Sequence, residues 1–246
     1  MEPILMIRDL ELPALWNNRS VIVETDDTDK IVPITNAVRT NNLLFCIKLI
    51  LNRQITAIPF AEEWQCIPLV IYPNGLGAVK DLIGLLPILK KLNVKFFLDG
   101  AVKENYEAVQ ILSSLGIYSG IVIREDADWE RLTDVMYYAL CGKVAHASIE
   151  PFQFAYDAYK RNSLVDYGTV YFNNSDLFEY DFSTETQRHG RRRETFFYEA
   201  TDCAACAGWR VCLGKYEKLK DKTGCQTFTN ELLNLIENLK FPILNS

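Results

Sequence analysis

The chain has 246 residues, 49% of them hydrophobic, and a formal net charge of −6 from 26 basic and 32 acidic side chains. That much apolar material buries a sizeable core in one domain with a small appendage, and the acidic balance argues against a nucleic-acid binder, which presents a basic surface. No apolar run is long enough to span a bilayer, and the N-terminal MEPILMIRDLELPALW mixes acidic with apolar residues instead of forming a signal-peptide core, so a cytosolic protein with no membrane partner is expected.

Ser20–Glu24 reads as a strand. The stretch from about Thr35 to Asn52 is expected as a helix, with Leu43, Leu44, Ile47, Ile50 and Leu51 at helical spacing. Cys66–Tyr72 is a continuous apolar run that suits a buried parallel strand, and Pro73-Asn74-Gly75 a turn after it. A helix follows through Leu82, Leu85, Leu86 and Leu89, with a kink or a later start expected at Pro87. Val94–Leu98 is the next strand. A helix over 103–115 is then capped by Gly116, followed by a strand over Ile117–Ile123. Asp126 or Asp128 caps a further helix carrying Trp129, Leu132, Met136 and Ala139.

Strands and helices alternating in this way imply an α/β fold built from right-handed βαβ units around a parallel sheet. Four or five such units are too few for a closed eight-unit barrel, so a partial barrel or an open parallel sheet is expected over residues 1–163. The pattern changes after Ser163. Tyr167–Phe182 alternates at period two around Asn173-Asn174-Ser175, as a β-hairpin does. A polar, Arg-rich loop follows, with the basic run Arg188-His189-Gly190-Arg191-Arg192-Arg193 read as a solvated loop, and then a last helix over about Thr229–Leu239. Residues 164–246 are therefore expected as a small C-terminal module of hairpin, cysteine loop and helix.

That module holds the chain's most specific signal. Cys203, Cys206, Cys212 and Cys225, four of the seven cysteines, follow the order C-x2-C-x5-C-x12-C. Clustered cysteines in a reducing compartment point to metal or redox chemistry more than to disulfides, and four thiolates so close read as one tetrahedral metal site or one iron–sulfur cluster. Gly208, Gly214 and Gly224 stand where a chain wrapping a metal often needs positive φ. Arg210 and Lys215 favour deprotonated thiols, and Trp209 is placed to shield a cluster from water.

The spacing resembles the SPASM module, the C-terminal extension of many radical-SAM peptide-modifying enzymes, with its C-x2-C-x5-C-x3-C core and a later cysteine. Cys203, Cys206 and Cys212 match the first three core positions and Cys225 the later one, and in the family these four ligands bind the second auxiliary [4Fe–4S] cluster. Tyr216 stands where the family's fourth core cysteine would be, so the resemblance implies one auxiliary cluster with the other lost. The C-x3-C-x2-C loop that binds the SAM-cleaving cluster is missing too, since Cys46, Cys66 and Cys141 lie far apart. The chain thus resembles a pseudo radical-SAM protein. The resemblance implies an accessory role in electron transfer or in docking a radical-SAM enzyme or its peptide substrate. A zinc-stabilised binding or scaffold protein is the alternative, and an enzyme with its site at the strand C-termini a third.

Other candidates are weaker. Cys46, Cys66 and Cys141 lie in apolar sequence and are expected in the core. His146 and Glu150 have the spacing of a helical metal pair, but Pro151 and the strand-like Val144–Ile149 argue against it. Asp99 and Asp126 lie just past strands, where α/β folds place ligands and where turns and caps also need carboxylates. Pro73–Gly77 lacks a phosphate-loop pattern. Phe196-Phe197-Tyr198 reads as local packing, and with two histidines a hydrolytic triad is not expected.

Overall fold

Runs rich in β-branched and aromatic residues become strands, and the segments between them supply helices. The structure, a computed structural model, describes residues 5–7, 17–123, 127–144, 146–160, 178–181, 186–188, 205–207 and 222–239. The strands are β1 (Leu5–Ile7), β2 (Ser20–Thr25), β3 (Leu43–Ile50), β4 (Leu69–Tyr72), β5 (Val94–Asp99), β6 (Ser119–Val122), β7 (Ile149–Glu150), β8 (Phe178–Asp181) and β9 (Thr186–Arg188). The helices are α1 (Ile31–Arg39), α2 (Val79–Leu89), α3 (Glu104–Ser114), α4 (Trp129–Cys141), α5 (Phe152–Lys160) and α6 (Lys222–Asn238).

The fold is α/β with an open parallel sheet: β1 to β5 stand side by side in chain order, and β6 pairs parallel with β7. Beyond β1 the sheet continues with β8, parallel to β1, and β9, antiparallel to β8. The chain divides into two units, Met1–Phe97 with Asn174–Arg191 and Leu98–Asn173 with Arg192–Ser246, the division passing through β5. The expected boundary near residue 164 lies outside the described residues.

In the first unit, Asp27 accepts a hydrogen bond from the Asp29 amide (2.9 Å) and opens a short 3-10 turn that leads into α1. Ile31, Ile34 and Val38 are its buried stripe. The helix ends at Arg39, with Asn41 and Asn42 both donating back to the Val38 carbonyl.

The helix expected over Thr35–Asn52 is therefore corrected: its second half is β3. Ile47 and Leu49 on one face and Cys46 and Lys48 on the other are all buried. A strand covered on both faces reads as a continuous apolar run, and such a run also satisfies helical spacing by chance. Asn42, also buried, accepts from the Arg19 amide (3.1 Å) and ties the starts of β2 and β3 together.

β4 starts at Leu69, not Cys66, because Pro68 has no amide to donate, while its carbonyl accepts from Ile47 (2.9 Å). Gly75 takes φ +96° in the turn that follows. α2 runs from Val79 through Pro87 to Leu89, without the later start, with Leu82 and Leu89 buried.

In the second unit, α3 buries Tyr106, Val109 and Leu112. Gly116, at φ +80°, closes it: its amide reaches the Ser113 carbonyl (2.9 Å) and that of Ile117 reaches Leu112 (3.0 Å), a Schellman arrangement. Asp128 caps α4 by accepting from the Arg131 amide (3.2 Å); Asp126 lies outside the described residues.

α6 begins at Lys222, about two turns before the expected Thr229, so Gly224 and Cys225 are helical. Packing outweighs the poor helix propensity of Lys-Thr-Gly: Phe228, Leu232, Leu233 and Ile236 are buried, and Phe228 lies against Trp129 (5.6 Å) and Phe152 (6.2 Å). One arm of the expected hairpin, β8, pairs forward with β9 inside the stretch read as loop; the other arm lies outside the described residues.

Asp128→Ala removes a side-chain N-cap and is expected to lower stability by about 1 kcal/mol in denaturant unfolding, with Asp128→Asn close to the parent. An alanine variant as stable as the parent would show that the cap contributes nothing.

Candidate functional site

The cysteine segment is described in part. Cys206 lies half-buried in the short turn 205–207. Cys225 is the fourth residue of α6, half-buried, and its carbonyl accepts from Thr229 Oγ1 (2.8 Å). Cys203 and Cys212 lie outside the described residues, as do Gly208, Trp209, Arg210, Gly214, Lys215, Tyr216 and the Phe196–Tyr198 run. Gly224 departs from expectation: it is helical, and the positive-φ glycines among the described residues are Gly75, Gly77 and Gly116. Among the described residues, no three His, Cys, Asp or Glu side chains gather as a metal site.

Of the other three cysteines only Cys46 is in the core. Cys66 and Cys141 are exposed, which corrects the expectation that all three pack inside. Cys66 precedes β4 in a loop whose carbonyl accepts from Arg39 Nη2 (2.7 Å), and Cys141 ends α4; apolar neighbours in sequence do not bury a residue at an element boundary.

His146 and Glu150 do not form a metal pair. Glu150 is buried and accepts from the Phe154 amide (3.1 Å) at the start of α5. His146 stacks on Tyr138 (4.9 Å), with Nδ1 3.1 Å from Ser113 Oγ and 3.0 Å from the Ala147 carbonyl. Asp99 accepts from the Ala101 amide (3.0 Å), a turn-forming bond.

A second constellation lies on the sheet face of β2 to β5, within the first unit. Register places Glu24 beside Lys48, Lys48 beside Val70 and Val70 beside Lys95. Two residues further along the strands, the same alternation brings Ile50, Tyr72 and Phe97 to this face. Lys48 is 1% exposed. Its Nζ lies 3.7 Å from Glu24 Oε2 and 5.4 Å from the centre of the Tyr72 ring, which stacks on Phe97 at 5.7 Å.

Cys46 also belongs to this face, one alternation before Lys48. Burial pushes its thiol up to about 12, against the smaller opposing pull of the Lys48 and Lys95 ammoniums. Sequence periodicity did not single these residues out; the available signal was a lysine inside each of two apolar runs, LLFCIKLI and VKFFLD.

No protein-family model, no curated protein and no solved structure matches the chain. Among the described residues, no helix is long and apolar enough to cross a membrane.

Two outcomes follow for the thiols. Iodoacetamide is expected to modify Cys66 and Cys141 in the native protein and to leave Cys46 untouched until unfolding; mass spectrometry of native and denatured samples checks this. Because folding raises the Cys46 pKa, the stability it lends is complete below the ordinary thiol value near 9 and is lost as pH rises toward about 12. The stability of the parent relative to Cys46→Val should therefore fall above pH 9, by up to about 1.4 kcal/mol per pH unit. A difference independent of pH would show that the thiol is not so buried.

Proposed function

We propose that this chain is a single-cluster iron–sulfur protein of the SPASM type, with Cys203, Cys206, Cys212 and Cys225 as ligands of one [4Fe–4S] cluster. On this reading it has no SAM cleavage of its own. It serves as an accessory protein to a radical-SAM enzyme that modifies a peptide or protein, and the α/β part, a remnant of a partial barrel over residues 1–163, docks the partner. The observation that carries the reading is the C-x2-C-x5-C-x12-C order itself.

The donor set fits the group. Four thiols are the ligands such clusters take, and the two described ones are accessible enough to be ligands, Cys206 in a turn and Cys225 near a helix start. When bound, such a cluster supplies one-electron transfer. If all four cysteines ligate, the iron sites are closed to substrate, which favours electron transfer or structural support over direct substrate binding. The protein's part is then to hold the thiolates together, with Trp209 shielding them from water and Arg210 and Lys215 supplying positive charge.

The test is metal and sulfide content after anaerobic purification. The expected result is about four irons and four sulfides per chain, the stoichiometry of one cubane cluster. Cys206→Ala should reduce both to near zero while Cys46→Ala leaves them unchanged. One zinc without sulfide would replace this reading with that of a zinc-stabilised scaffold, and equal metal loss in both variants would refute the ligand assignment.

A further inference from the structure

We draw no further inference here: the strongest candidate, the charged row of Glu24, Lys48 and Lys95 on the sheet face of β2 to β5, has its buried Lys48 held within the fold by the Glu24 carboxylate and the Tyr72 ring, and nothing in the structure shows a ligand reaching it.

Discussion

The constraint on which the rest of the structure depends is the order of the strands. A parallel sheet whose strands follow chain order, joined by right-handed crossovers, puts its connections on one face. In the first unit α1 packs on β3, and the 3-10 turns between β3 and β4 contact α1 and α2, so these connections share a side. The residues toward that side, Ile47, Leu49, Leu69, Ile71 and Phe96, form an uninterrupted apolar layer. The opposite face is buried as well, through Ile22, Cys46, Val70 and Phe97, and there the charged row interrupts the apolar pattern.

The Glu24–Lys48 pair is not explained by stability. Removing two charges from water costs several kcal/mol per ion, and well-packed apolar residues of similar volume are often as stable or more so. The 3.7 Å separation is that of an ion pair and not of a tight bidentate contact. A sheet needing only cohesion would place leucine or isoleucine at position 48, as it does at Ile47 and Leu49.

What the sequence disclosed and what it hid follow from the range of the interactions involved. Asp128 as the cap of α4, Gly116 as the close of α3 and the strands at Ser20 and Val94 are decided within a few residues, and they were legible. β3 was not, because the spacing of Leu43, Leu44, Ile47 and Ile50 satisfies a helix as well as a two-faced strand, and only neighbours at β2 and β4 decide between them. Cys66 and Cys141 show the same limit: their exposure is set by where an element ends. The Glu24–Lys48–Lys95 row is a property of register between residues distant in sequence, so no window along the chain contains it. The cysteine order was fully legible as a spacing, and Cys225 gained a context that spacing did not contain, the first turn of a helix.

That context bears on how a metal would couple to folding. Cys225 belongs to a helix whose position is already determined by apolar contacts of Phe228, Leu232, Leu233 and Ile236, with Phe228 set against Trp129 and Phe152. Tyr137 adds a bond to Glu231 (2.8 Å), and Tyr159 one to Glu237. In metal sites that form only on binding, the binding free energy is also the folding free energy of the module. A ligand carried on a helix with its own hydrophobic footing departs from that limit. On the proposed reading, α6 brings one thiolate into place by packing alone. Loss of the cluster would then act on the ligand segment and leave α6 docked on α4, separating the protein's fold from its cofactor more cleanly than in a domain that the metal alone holds together.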